Sequence, residues 1–339
     1  MQPNRTNDRF DGVIEDMTTA EVKEMLTFLA DAGVSNISFT GGEPLLREDI
    51  CEIVAFAAGL EAVNAFEDTD GVSLRRSRPS LYMNTNGALS TSEFLKVCLE
   101  CGLRLTVSLP GLRTYQELTA GGDARKALGA MEAASAMGVQ VTAAITITRI
   151  NEHELVETIA AALLAGADSI LLNRFLAGGR GLGKISELSL DVDQVKRMLL
   201  IADEVLHTAG RYGRMGTEVP ACLIAGLQFR NLTVGTRCSA ALHFVAIDPS
   251  GYVRVCNHSP VRLCHYTDID SVWQHPLWQA YTRRSLLPTS CSGCHSRPDC
   301  DAGCREAARL VSGDPMVDDP CLLFDAQLAD MNQGNRRSI

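Results

Sequence analysis

The residues best suited to chemistry are seven cysteines spaced as ligands: Cys238, twelve residues, Gly251, four residues and Cys256; then Cys291-x2-Cys294-x5-Cys300-x3-Cys304; then Cys321. Seven thiols at short, loop-friendly spacings suffice for two metal centres. Zinc would take four of them in tetrahedral geometry. An iron-sulfur cluster would also take thiolates, four for a full cuboidal site. Spacing alone leaves both open. A small, loop-rich module of this kind has little core, so bound metal would supply much of its folding energy. The second candidate is a carboxylate on bare backbone. In "ISFTGGEPLLREDI", residues 37–50, an apolar strand runs into Gly41, Gly42, Glu43 and Pro44 before a helix. Glycines let backbone approach a ligand, and a carboxylate beside them can accept hydrogen bonds from an ammonium group. Pro44 fixes the turn. A plain strand-to-helix turn with a solvated Glu43 is the competing reading.

Other candidates carry weaker signals. Cys98 and Cys101 form a C-x2-C at the end of an amphipathic helix, where small apolar thiols fill core; a redox pair would need a helix N-terminus. Cys51 also reads as core. Asn173 and Arg174 end a strand before "AGGRGLG" and would either line a cavity or form a surface pair. That loop lacks the Lys-Ser/Thr of a phosphate loop.

These residues need a frame. From Thr18 to about Ala209 helical patterns alternate with short β-branched runs, the signature of βαβ units around a parallel sheet. Thr18 and Glu21 make a capping box for the first helix, and Gly33 ends it. Strands are expected at 36–40, 81–85, 104–109, 140–148 and 168–175, with helices near 48–59, 90–101, 123–137, 151–165 and 191–209. Five strands with intervening helices describe a partial α/β barrel, whose catalytic groups collect at the C-terminal strand ends. Gly41, Gly42 and Glu43 fall at such an end. Residues 61–79, rich in charge, Ser and Gly, read as a surface insertion. After about Arg211 nine of the twelve cysteines fall in the last 118 residues. A second, metal-bound module over 211–339 follows, after a first domain over 1–210. Its β signal is one hairpin, "HFVAIDPSGYVRVC", with Asp248, Pro249, Ser250 and Gly251 in a type I turn.

Composition excludes several functions. An apolar share of 46% supports a substantial core, and a formal net charge of -10 argues against nucleic-acid or anionic-membrane binding. The longest apolar run, Ile159 to Ala167, is nine residues, against the ~18 that a bilayer requires. The polar start is no signal peptide, so a cytoplasmic location is expected. Cytosolic thiols stay reduced, which favours metal binding over disulfides.

The cysteine pattern resembles the SPASM domain in every element. That resemblance implies two auxiliary 4Fe-4S clusters, one held by Cys238, Cys256 and Cys304, the other by Cys291, Cys294, Cys300 and Cys321. Three cysteines leave one iron of the first cluster open, for substrate or for Cys222 or Cys264. Joined to that tail, "TGGEPLL" resembles the glycine-glycine-glutamate motif of radical SAM enzymes, which binds the amino group of S-adenosylmethionine. The resemblance covers nearly the whole chain and implies a partial (β/α)6 barrel lacking its first strand. "NTNG", Asn84 to Gly87, is similar to the family's third-strand end, and "VSLPG", Val107 to Gly111, has Pro110 where many members carry aspartate. Gly41, Gly42, Glu43, Pro44, Asn86 and Ser108 are the cofactor contacts it implies, Ser108 toward the ribose.

The family's Cys-x3-Cys-x2-Cys triad, whose cluster delivers the electron that cleaves S-adenosylmethionine, is not in these 339 residues; the first cysteine is Cys51. By resemblance the triad would stand just before Met1, and a misassigned start or a truncated gene is the expected reason. A third 4Fe-4S cluster is expected only with that triad restored. The implied activity is radical modification of a peptide or protein, with a reducing donor such as ferredoxin or flavodoxin. The alternative is an iron-sulfur or peptide-binding protein without radical catalysis. Both predict auxiliary clusters, whereas a colourless, zinc-loaded protein would favour zinc.

Overall fold

The structure, a computed structural model, describes residues 16–68 and 71–323. The N-terminal loop expected before Thr18 lies, up to residue 15, outside them. The described residues fall into two compact units, 17–145 with 156–171, and 146–155 with 172–323.

In the first unit Thr18 caps helix α1 (Thr19–Asp31) through the expected box with Glu21, and Gly33 follows with φ of 89°. A side chain at Gly33 would also meet the Val63 carbonyl oxygen at 2.8 Å. Strand β1 (Asn36–Phe39) and helix α2 (Ile50–Ala58) follow. Residues 61–79 are more than a surface insertion: β2 (Ala62–Asp68) and β3 (Gly71–Ser77) pair as an antiparallel hairpin, from Ala62↔Ser77 to Asp68↔Gly71. Its backbone pairing overrides a composition that reads as loop. Then come β4 (Ser80–Thr85), α3 (Ser92–Cys101), β5 (Arg104–Ser108), a short α4 (Tyr115–Leu118), α5 (Ala124–Ala136) and β6 (Val141–Ile147). Along β4, β5 and β6 alternate residues are buried, so Leu81, Met83, Leu105, Val107, Val141, Ala143 and Ile145 form one apolar face. Helix α6 (Leu155–Leu164) and strand β7 (Ser169–Arg174) complete the alternating series.

The sheet is wider than the five expected strands. Its order is β1-β4-β5-β6-β7-β8-β9, the last two being β8 (Tyr212–Met215) and β9 (Leu232–Thr233). These two are only four and two residues long, too short for periodicity to register. Parallel register matters for the site. Phe39 lies beside Met83, and Thr85 beside Val107, so β1, β4 and β5 end side by side at one sheet edge.

The second unit contains α7 (Ile185–Leu188) and α8 (Val192–Thr208), the latter capped by a box of Asp191 with Gln194. Beyond β9 its strands are short: β10 (Ala246–Ile247), β11 (Tyr252–Arg254) and β12 (Cys264–His265) form an antiparallel sheet. The expected turn joins the first two, with Gly251 N–H donating to Asp248 O at 2.9 Å and Gly251 at φ of 83°. Helices α9 (Pro276–Thr282) and α10 (Arg305–Ser312) follow; Cys304 caps α10, and Cys291 and Cys321 lie in 3-10 turns. Among the described residues no helix is long and apolar enough to cross a membrane.

Candidate functional site

The carboxylate motif is built, not solvated at random. Pro44 is buried and opens a 3-10 turn, which turns Glu43 back toward the end of β4. Its Oε1 accepts from Thr85 Oγ1 at 2.6 Å and from Leu45 N–H at 3.2 Å, and its Oε2 accepts from Asn86 N–H at 2.8 Å. A carboxylate offers about four lone-pair sites. Three are engaged, which leaves room for one further donor. Gly41 and Gly42 are exposed, and a Cβ on either would meet nothing within 4 Å. The backbone beside the carboxylate is therefore open to a ligand.

Asn86 contributes through its backbone; its side chain oxygen accepts from Ala88 N–H at 2.8 Å and shapes the turn. Gly87 is buried with φ of 75°, where an added Cβ would stand 2.8 Å from that of Ala130. Ser108 ends β5 opposite Ala144 and is half-buried. Two residues escaped the sequence reading. Thr85 is buried and bridges the site, since its hydroxyl donates to Glu43 and accepts from Gly87 N–H at 3.1 Å. Tyr115 is buried within electrostatic reach of Glu43, and burial above all pushes its hydroxyl up, keeping it a proton donor. The "NTNG" motif pointed at the right strand end, but no pattern marks a threonine as a bridge.

The cysteines of the second unit gather in two groups. Cys238 lies within electrostatic reach of Cys256 and Cys304, the latter two buried. Cys291 stands near Cys294 and Cys300. Cys222, a candidate for the first group, stands with the second, near Cys294, Cys300 and Cys321. Its neighbour Ala221 donates its N–H to Cys300 Sγ at 3.3 Å. Cys264 adjoins Ser271 and Asp268. Cys51, Cys98 and Cys101 lie near one another in the first unit, and burial pushes Cys98 up to about 12, an inert core thiol.

Backbone N–H groups aim at the sulfurs: Ala302 at Cys300 (3.2 Å), Ala307 at Cys304 (3.4 Å), Ala240 at Cys238, and His258 and Ser259 at Cys256. Burial pushes Cys256 and Cys304 up to about 12 as free thiols. These N–H donors favour thiolate and are the partners that tune cluster potentials. Among the described residues no three His, Cys, Asp or Glu side chains converge on a point that a single ion would occupy. A cubane asks for no such convergence, because it takes one thiolate per iron. The donor set fits iron-sulfur clusters.

A buried ion pair positions both groups. Arg174 is no surface residue; it borders a small cavity with Phe175, Ala177 and Cys321, and its Nη2 donates to Asp319 Oδ2 at 2.6 Å and to Glu218 O at 3.2 Å, with both side chains buried. Asp319 Oδ2 also accepts from Cys304 N–H at 2.7 Å, and Oδ1 from Cys321 N–H at 3.0 Å. One carboxylate thus holds a cysteine of each group. Burial opposes its charge, but Arg174 keeps the carboxyl below its ordinary range. Asp301 plays a parallel part for Cys238, accepting its N–H at 2.6 Å while paired with Arg284.

A glutamate cradle at the C-terminal strand ends and clustered thiols define the class. The sequence profile of the radical SAM superfamily matches residues 3–162, and this stretch is a radical SAM domain. The chain is 24% identical to pre-heme d1 synthase of Dinoroseobacter shibae, over 96% of this chain and 83% of that protein. It is also 24% identical, with the same coverage, to PqqA peptide cyclase of Bradyrhizobium diazoefficiens. Its fold matches that of native anSMEcpe with bound AdoMet and Cp18Cys peptide, with a TM-score of 0.64, 14% identity, and coverage of 96% of this chain and 89% of the other.

Proposed function

We propose that the chain is the S-adenosylmethionine-binding and auxiliary-cluster part of a radical SAM enzyme that modifies a peptide or protein. The observation that carries this reading is the Glu43 cradle, a carboxylate held by three donors beside open backbone at Gly41 and Gly42. Glu43 would take the ammonium of the methionyl moiety, with Thr85 and Asn86 fixing the carboxylate, and Ser108 would meet the ribose. Bound in that position with a reduced cluster, S-adenosylmethionine supplies a radical able to take hydrogen from an unactivated carbon. The protein's part is to orient the cofactor and keep water out.

In the second unit Cys238, Cys256 and Cys304 would hold one auxiliary 4Fe-4S cluster, and Cys291, Cys294, Cys300 and Cys321 another. The nearness of Cys238 to Cys256 and Cys304, and of Cys291 to Cys294 and Cys300, supports that division. Relatives named as PqqA peptide cyclase, and the fold match to a peptide-bound enzyme, support a peptide substrate. Electrons would come from a low-potential carrier such as ferredoxin or flavodoxin.

One observation favours a second reading: residues 1–339 contain no Cys-x3-Cys-x2-Cys triad. As an isolated chain the protein would then bind cofactor and peptide without radical formation. Calorimetry and 5'-deoxyadenosine assay separate these readings. Binding of S-adenosylmethionine that Glu43→Gln weakens at least tenfold supports the cradle, and no binding by the wild type overturns it. Product formed when a triad-bearing N-terminal segment is joined to the chain supports the enzyme; binding without product leaves the second reading.

A further inference from the structure

One side chain touches both groups of cysteines. Asp319 Oδ2 accepts from Cys304 N–H at 2.7 Å and Oδ1 accepts from Cys321 N–H at 3.0 Å, so a cysteine of each group is one hydrogen bond from the same carboxylate. All three residues are buried, Asp319 completely. Its Oδ2 also takes the Arg174 Nη2 donor at 2.6 Å. Both oxygens serve as acceptors beside a guanidinium, which is the behaviour of an ionised carboxylate. The chain makes room for this arrangement at Gly303, whose φ of 82° and close approach leave no space for a Cβ, which would collide with Asp319 Oδ2.

Other buried carboxylates of the same unit are placed differently. Asp301 accepts from Cys238 N–H at 2.6 Å, a cysteine of the first group alone. Asp248 takes its hydrogen bonds from Ser250, Tyr252, Arg254 and Arg262. Among the described residues, Asp319 is the carboxylate that accepts from cysteines of both groups. That position has an electrical consequence. Reducing a cluster adds negative charge, and a fixed negative charge in a poorly screened interior opposes it. Net charge and hydrogen bonding around the ligands are two of the factors that set cluster potentials. Arg174 offsets part of the effect through its ion pair with the same carboxylate.

We propose that Asp319 is a positioning residue common to both auxiliary clusters, whose single negative charge holds the two reduction potentials down together. The inference rests on the two-cluster reading above. A change in this charge moves both potentials in the same direction. Their difference, which drives an electron from one cluster to the other, is thereby kept nearly constant. A carboxylate that merely capped the turn at Cys321 would hold the backbone and leave no paired shift.

The test uses the full chain, reconstituted anaerobically with ferrous iron and sulfide, with iron counting and a dye-mediated redox titration followed by electron paramagnetic resonance. Cys256→Ala and Cys294→Ala should each keep about half of the bound iron and so isolate one cluster apiece; full iron in both would sink the two-cluster reading itself. With that arm satisfied, Asp319→Asn should raise the potential in both backgrounds, by about 59 mV for a tenfold change in a one-electron equilibrium. Arg174→Gln keeps a donor for Asp319 but loses the positive charge, and should lower both potentials; it decides the matter where Asp319→Asn binds less iron. Asp248→Asn, which removes a buried charge that takes no hydrogen bond from a cysteine, should move neither. The assignment is overturned if Asp319→Asn with its iron retained, or Arg174→Gln in its place, shifts one cluster only or none, or if Asp248→Asn raises both equally.

Discussion

Thr85 shows how much a single hydroxyl can decide. It donates its one proton to Glu43 and receives Gly87 N–H, so it sets both the rotamer of the carboxylate and the turn that follows β4. Hydrogen bonds to a charged acceptor contribute about 1.5–3 kcal/mol. Thr85→Val keeps the β-branched shape but leaves one side of the carboxylate undirected. We expect S-adenosylmethionine binding to weaken by about tenfold in Thr85→Val, with Thr85→Ser close to wild type. Isothermal titration with the cofactor measures this, and unchanged affinity would show that the bridge is dispensable. Sequence reasoning found Glu43 because glycines flank it, and missed Thr85 because a strand-end threonine is ordinary. The same holds for Arg174 and Asp319, which stand 145 residues apart in the chain and meet in a buried pair. No local pattern carries such a meeting.

Among the elements, those with strong periodicity were legible, and those made by single contacts were not. The capping box at Thr18 and the apolar alternation of β4 to β7 fix their elements within a residue or two. The edge strand β9 has no such signal, being two residues long. What holds its entry is Asp203 on α8, whose Oδ1 accepts the backbone N–H groups of Arg230, Asn231 and Leu232 at 2.9, 2.7 and 2.9 Å. Burial raises the pKa of this carboxyl, but the three donors outweigh it and bring it below the ordinary 3.8. Asp203→Ala should cost on the order of 3 kcal/mol, because three N–H groups, that of Leu232 buried, lose their acceptor. A depressed pKa gives stability that is full above 3.8 and is lost as pH falls through the folded value. The gap between wild type and Asp203→Asn, measured by urea unfolding, should therefore narrow as pH is lowered from 6 toward 3, values chosen to span roughly the carboxylate range. A gap constant with pH would refute the charged-acceptor role.

For the whole molecule, the two units differ in what holds them together. The first has a parallel sheet with a continuous apolar face, and its buried side chains from Leu26 to Ile145 are apolar apart from Thr85. The cysteine-bearing part of the second has strands of only two or three residues, and its buried side chains include Asp248, Asp301, Arg305, Glu306 and Asp319. Buried charges of this kind are weak evidence of stability, because desolvation offsets much of their attraction. Hydrophobic area alone is then a poor account of why residues 238–323 fold, and on the proposed reading ligation of the seven cysteines would supply the term that remains. Removing the iron anaerobically with a chelator should therefore abolish hydrogen-exchange protection through residues 238–323. Protection along α1, β4, β5 and α5 should be kept. Mass spectrometry of peptides from both regions reads the two outcomes in one experiment. Loss of protection in both would mean that metal binding and the parallel sheet fold as one cooperative unit, and retention in both would mean that the cysteine module stands without metal.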